Sequence, residues 1–294
     1  MIGRPLVRHL VRAGHAVAGL TRTEAGADQL AAQGARAIRA DILDLGALLE
    51  ATAGLSADAV INEVTALARP PARYADMEST NRLRTQGSAH LLALAKQAGA
   101  TRFVTQSIVF GYGYRDHGAV PLTEDSPFGV PAGLGSDAAV AAMADAERQV
   151  FEATGIDGIA VRYGLLYGGD PEFVPRLRSL PVASGRQGTI ALVHAEDAAL
   201  GTIAALERGV DGAAYNIVDD TPATWREFIE ESARTAGAPR PSVLPGWALR
   251  LVAPYAAELL TRVNLRVSNE RACDQLGWAP RYPSFREGLA VQLA

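Results

Sequence analysis

Residues 1–23, MIGRPLVRHLVRAGHAVAGLTRT, decide how the rest of the chain is read. Leu6, Val7, Leu10 and Val11 recur at helical spacing, Gly14 stops the helix, and HAVAGLT (15–21) continues as an extended segment. A helix that feeds a strand in this way ordinarily has a strand ahead of it. Here only Met1 and Ile2 stand before Gly3.

Working outward, strand-like runs recur at ARAIRA (35–40), DAVINEV (58–64), RFVTQSI (102–108) and DGIAVRYG (157–164). Helical stretches separate them, STNRLRTQGSAHLLALAKQAG (79–99) and SDAAVAAMADAERQVFEATG (136–155) among them. That alternation predicts a parallel sheet covered by helices. Past Tyr167 the pattern loosens into the Gly- and Pro-rich stretch 168–188, a helix from His194, a short strand AAYNIVD (213–219) and a mostly helical end. In parallel α/β sheets, ligands sit beyond the carboxyl ends of the strands.

Composition narrows the chemistry. The chain has 294 residues, 48% hydrophobic and 20% charged, enough for a large α/β core with a smaller lobe and too apolar for a disordered protein. Cys273 is the single cysteine and the five histidines lack ligand spacing, so no internal disulfide and no metal are expected. A net charge of -4, with no arginine-aromatic patch, argues against nucleic acid. No apolar run has the length of a membrane span and the start lacks the regions of a signal peptide, so the reading is cytoplasmic with no membrane partner. A homodimer stays open. Lys96 is the only lysine, which limits the cations available to a site.

Taken in order, GRPLVRHLVRAGHAVAGLTR, RADILD, DAVINEVTAL, GSAHLLALAKQAGATRFVTQSIVFGYG, VRYGLLYGG, VHAEDAA, YNIVDD and LGWAPRYPSFREGL resemble the extended short-chain dehydrogenase/reductase superfamily, in its NAD-dependent epimerase/dehydratase group. The resemblance implies a Rossmann-type, doubly wound parallel sheet, with residues 1–165 and 192–218 as the dinucleotide-binding core and 166–191 and 219–294 as a small, mostly helical substrate lobe. It also implies a first strand and a TGxxGxxG turn whose third glycine would be Gly3. The expectation is therefore that the start at Met1 is a truncation or a misplaced start codon, with roughly ten residues absent. The first strand and most of the turn would be missing, leaving an unfilled slot between HAVAGLT and DAVINEV.

The same resemblance assigns cofactor contacts. Gly3 and Arg4, at the helix amino end, would meet the pyrophosphate. Arg22 stands where an arginine can meet the 2′-phosphate of NADP, which favours NADP with NAD open, against a merely solvated surface arginine. Asp41 and Ile42 resemble an adenine-contacting pair, although Asp41 could instead cap the helix starting near Asp44. The backbone of Asn62, Glu63 and Val64 would line the ribose, and Tyr163 joins the cofactor set.

The superfamily's hydride chemistry pairs a tyrosine acid with a lysine four residues on. Aligning Glu147 puts Ala139 and Met143 in those places. Tyr282 with Arg286 is the only tyrosine with an arginine at that spacing, and it reads as structural. Tyr112 of FGYG and Ser107, one residue out of register with the usual serine, are the catalytic candidates that remain. His117, Glu124 and Asp125 lie in a polar loop read as solvated, and Asp197 as a helix cap or an orienting group. Ile190, Ala191 and Leu192 replace the run that clamps a sugar nucleotide diphosphate, so a smaller or more apolar ligand is expected, with Trp247, Leu251 and Tyr255 available to line its pocket and Arg266 dissenting. These features imply an NADP(H)-dependent oxidoreductase acting on a small carbonyl or alcohol. A dinucleotide-binding regulator and a nucleotide-sugar epimerase stand as alternatives.

Overall fold

The computed structural model describes residues 2–67, 69–169, 180–185 and 187–291; the lobe stretch 170–179 and Met1 lie outside them. The first helix, α1 (Gly3–Arg12), turns Leu6 and Leu10 inward and ends before Gly14, whose φ of 90° breaks the helix. It is followed by β1 (Ala18–Thr21), α2 (Glu24–Ala32), β2 (Arg36–Arg39), α3 (Leu45–Ala51) and β3 (Ala59–Asn62). A helical segment then runs through α4 (Glu78–Arg82), a π turn (Leu83–Gly87) and α5 (Ser88–Ala98). Next come β4 (Arg102–Ile108), a 3₁₀ turn (Val109–Tyr112), α6 (Asp137–Phe151), β5 (Asp157–Tyr163) and β6 (Leu165–Tyr167). The later elements are β7 (Val182–Ala183), β8 (Thr189–Ile190), β9 (Leu192–His194), α7 (Ala195–Arg208), β10 (Ala214–Ile217), β11 (Ala223–Thr224), α8 (Trp225–Thr235), β12 (Val243–Leu244), α9 (Gly246–Val252), α10 (Pro254–Arg262), α11 (Glu270–Leu276) and α12 (Phe285–Val291).

β3, β4, β5 and β10 form one parallel sheet in the order β10-β5-β4-β3, with Ser107 beside Arg162 and Ile108 beside Tyr163. β1 and β2 pair in parallel as a separate ladder. Among the described residues no ladder joins β1 to β3, the two strands between which the sequence placed a slot. The two ladders are held by side chains instead. Ile2 and, from α1, Leu6 and Leu10 pack with Val17, Ile61, Val104 and Ile159 on one face, and Leu20 and Val60 share the opposite layer with Leu48, Leu91 and Phe103.

A third apolar cluster lies under the lobe, where Tyr112, Tyr114, Met143, Tyr167, Phe228, Tyr255 and Phe285 pack together. Short ladders join the later segments, β6 with β9 and β7 with β12 in parallel and β8 with β11 antiparallel. α8 begins with a capping box in which Thr224 and Glu227 satisfy each other's backbone. No helix among the described residues is long and apolar enough to cross a membrane, and no group of three or more His, Cys, Asp or Glu there could hold a metal.

Candidate active site

Strands that run in parallel bring their carboxyl ends to one edge, where the loops after β1 to β5 gather. α1 runs back to β1 through a short connection, so its amino end reaches the same edge. No side chain caps that end, no acid lies in its first turn, and a Cβ on Gly3 would meet nothing within 4 Å. Arg4 is exposed and donates Nη2 to Gln29 at 2.9 Å. Arg22 is exposed and has no hydrogen bond or ion pair with the described residues. Positive charge and unfilled backbone donors therefore face outward together, as an anionic dinucleotide requires.

The other expected contacts divide. Asp41 is exposed, and its Oδ1 accepts the Leu43 amide at 2.9 Å; the cap of α3 is Asp44, which accepts from Ala47 at 3.0 Å. Ile42 is only 6% exposed and packs against Gly87, so its side chain is committed to the core and does not face the edge. Asn62 is buried, with Nδ2 donating to Ser88 (3.1 Å) and Thr105 (3.3 Å), which ties β3 to α5 and β4 and leaves only its backbone for a ligand. Tyr163 is also internal, since its hydroxyl donates to Glu63 at 2.6 Å and lies 2.5 Å from Thr202 Oγ1. Burial pushes the Glu63 carboxyl up to about 8, with the Tyr163 hydroxyl opposing the rise. Ser107 differs from these. It is buried at the carboxyl end of β4 and its Oγ has no partner, an orphan polar atom of the kind a ligand satisfies. The edge fits a dinucleotide through Gly3, Arg4, Arg22, Asp41 and Ser107.

Tyr112 has the opposite fate. It is fully buried; its hydroxyl donates to Asn216 Oδ1 at 2.8 Å and accepts from Arg162 Nη1 at 3.0 Å. The Arg162 guanidinium also grips Glu147 with contacts of 3.0 and 2.7 Å, donates to the Glu124 carbonyl at 3.3 Å and stacks 3.8 Å over Phe128. Burial raises the Tyr112 pKa against the pull of Arg162 and Asn216. A phenol enclosed in this way braces β5, β10 and α6 and has no proton facing a ligand. The loop beyond is not simply solvated either, because Glu124 accepts the Asn216 amide at 2.7 Å and Arg271 binds Asp125 at 2.6 Å. The sequence signal for this network was Arg162 itself, a charge inside an otherwise apolar strand, which must be paired when buried.

Ala139 and Met143 are buried, at 2% and 1% exposure, in the cluster that holds Tyr112, Tyr114 and Tyr255. At the strand-to-helix junction the cap of α7 is His194, whose Nδ1 accepts the Glu196 amide at 3.2 Å, while the Asp197 carboxylate accepts the amides of Arg281 and Tyr282, both at 3.0 Å. Trp247 and Leu251 are 67% and 76% exposed; Tyr255 alone of that trio is buried. Arg266 lines a shallow cleft of about 520 Å³ with Gln187, Thr189 and Asn264.

Comparisons with known proteins follow the same lines. The NAD dependent epimerase/dehydratase family matches residues 1–218. The chain is 37% identical over 303 residues to a 3-diazoavenalumate denitrifying reductase of a Streptomyces species, covering 98% of this chain and 96% of that protein. It is 30% identical over 258 residues to a 2-alkyl-3-oxoalkanoate reductase of Stenotrophomonas maltophilia, covering 81% of this chain and 74% of that protein. Among solved structures, a UDP-glucose 4-epimerase of Thermotoga maritima matches with a TM-score of 0.79 at 20% identity, over 100% of this chain and 94% of that one.

Proposed function

The chain belongs to the NAD dependent epimerase/dehydratase family, and from that premise we propose that it is a reductase whose hydride acceptor needs no proton from the protein, an aryl diazo group. The observation that carries this reading is the pair Ala139 and Met143, apolar and buried where the resemblance puts the acid and its cation. A carbonyl that takes up hydride becomes an alkoxide and must be protonated, a step for which a positioned acid contributes roughly 10²–10⁴-fold. Tyr112 cannot supply that proton while its hydroxyl is enclosed by Asn216 and Arg162.

An aryl diazonium behaves differently. Hydride adds at the ring carbon, the carbon–nitrogen bond breaks, its electron pair leaves with nitrogen as N₂, and the product is the arene; no proton enters the balance. The Streptomyces relative is named as a denitrifying reductase of a diazo compound, in keeping with that chemistry. A bound reduced nicotinamide dinucleotide supplies the hydride. The chain's own part is to hold it: the amino end of α1 at Gly3 and Arg4 for the pyrophosphate, Arg22 for a 2′-phosphate, which favours NADP, and Ser107 Oγ as a hydrogen-bonding hydroxyl beside the reacting end. Tyr112 and Arg162 keep that end rigid.

The test uses 3-diazo-4-hydroxycinnamate with NADPH carrying deuterium at the reactive C4 position. The expected result is one N₂ per NADPH consumed, deuterium on the ring carbon, and no solvent deuterium there when unlabelled NADPH is used in D₂O. Hydrogen drawn from solvent at that carbon, or turnover of ketones with none of the diazo acid, would overturn the reading.

A further inference from the structure

The helix from Glu78 to Ala98 is interrupted by the π turn Leu83–Gly87, an insertion of the sort that recurs at functional sites. Arg84 lies in that turn. Its Nη1 is shut off from solvent with no hydrogen-bond partner, and no carboxylate pairs with it among the described residues. Beside it, the hydroxyls of Tyr114 and Tyr255 touch each other, their rings 5.6 Å apart. Burial lowers the Arg84 pKa, and the two tyrosines oppose that fall; burial raises both tyrosines, and Arg84 opposes the rise.

Counting donors shows what is missing. Two hydroxyls that bond only to each other use one of their two hydrogens, so one O–H and the Arg84 Nη1 N–H remain unpaired in a buried place; Glu258 Oε2 is buried without a partner too, but it acts on the two tyrosines and not on Arg84. Each such donor is expensive to leave unmade. The acceptor that answers both at once has two oxygens and a negative charge. Tyr74 is no candidate, since its hydroxyl already donates to Glu258 at 2.7 Å. A cleft of about 270 Å³ reaches Tyr114 from outside, lined also by Ala132, Leu134, Arg115, Asp116 and Arg262.

We propose that Arg84, Tyr114 and Tyr255 form a binding site for the carboxylate of an aryl or alkenyl acid, the far end of the molecule that the enzyme reduces. The Glu258 carboxylate acts on both tyrosines and Asp116 lines the cleft, so negative charge is opposed there and a phosphate dianion is disfavoured more than a monoanion. The apolar body of the acid lies against the cluster that includes Ala139 and Met143. Only the identification of the ligand as the reduced substrate rests on the function proposed above.

Binding, measured without turnover, tests the site. Calorimetry with 4-hydroxycinnamate and with its amide compares the wild type, Arg84→Gln, Arg84→Lys and Tyr255→Phe, each checked for an unchanged unfolding midpoint. The acid is expected to bind wild type at least about tenfold more tightly than the amide, an advantage lost in Arg84→Gln and partly kept in Arg84→Lys. Equal binding of acid and amide by the wild type would overturn the site, as would undiminished acid binding by Arg84→Gln. If Arg84→Gln does not fold, the wild-type comparison and Arg84→Lys decide. Acid binding through Arg84 without diazo reduction would refute the reaction and keep the site; diazo reduction with indifference between acid and amide would do the reverse.

Discussion

Asp219 shows how much of this protein's behaviour is set by single buried groups. The residue is 5% exposed, its Oδ2 accepts the Tyr167 hydroxyl at 3.0 Å, and its Oδ1 has no partner. Burial pushes its carboxyl up to about 8, with the Tyr167 hydrogen bond pulling the other way and Asp197 adding to the rise. Between the ordinary carboxylate value near 4 and about 8, the folded chain thus holds a proton that the unfolded chain has released. Stability is full below that window and falls as pH rises through it. Asp219→Asn is expected to flatten the fall, measured as the difference in urea unfolding free energy between pH 5 and pH 8; an unchanged difference would assign the pH dependence elsewhere. Residue roles of this kind were the least legible part of the sequence. Tyr112 and Tyr163 sit at motif positions that could be read directly, yet their fates depend on Asn216 and Glu63, 104 and 100 residues away. No local pattern reports such a partner. The side chains of Arg22 and Ser107 have no hydrogen-bond partner among the described residues, which leaves them available for the roles proposed above.

Elements were far more legible, since a period is a local property. RFVTQSI is β4 residue for residue, and DGIAVRYG contains β5 whole. The two-residue strands β7, β8, β11 and β12 could not be read, because two residues carry no period and are defined only by what they pair with. The π turn was invisible for a related reason, as STNRLRTQG continues a helical pattern without interruption. Packing between elements sets a prediction at this scale. Gly158, the second residue of β5, lies against the end of α6, where a Cβ would lie 2.1 Å from the Val150 carbonyl oxygen and 2.7 Å from its carbon. Backbone cannot swing aside as a side-chain tip can. Gly158→Ala should therefore cost about 3 kcal/mol by forcing α6 and β5 apart. Gly46→Ala, in α3 with its nearest neighbour at 3.6 Å, should be neutral or stabilising through helix propensity. Chemical denaturation of the two variants checks both; a Gly158→Ala protein as stable as wild type would show that the two elements are not held in this register.

Across the whole molecule the decisive feature is that, among the described residues, β1 and β2 form no ladder with the main sheet, and Leu20 of β1 shares an apolar layer with it. Their burial is correspondingly shallow: of their residues only Ile38 is buried, whereas the six residues of β5 after Asp157 all are. Local opening should thus free β1 and β2 while β4 and β5 stay closed, with amides of the first pair exchanging on the order of 100-fold faster than those of the second. The proposed cofactor site makes this break informative, because it draws Gly3, Arg4, Arg22 and Asp41 from the smaller ladder and its helix, and Ser107 from the larger sheet. A ligand that binds only the fully assembled state opposes every opening that dismantles its site. At about one hundred times its dissociation constant it does so by about 2.7 kcal/mol. NADPH at that concentration should therefore slow exchange in β1–β2 and in β4–β5 by the same factor, near 100-fold. Slowing confined to β4–β5 would mean that the dinucleotide does not touch the smaller ladder, and the assignments of Arg22 and Asp41 would fall with it.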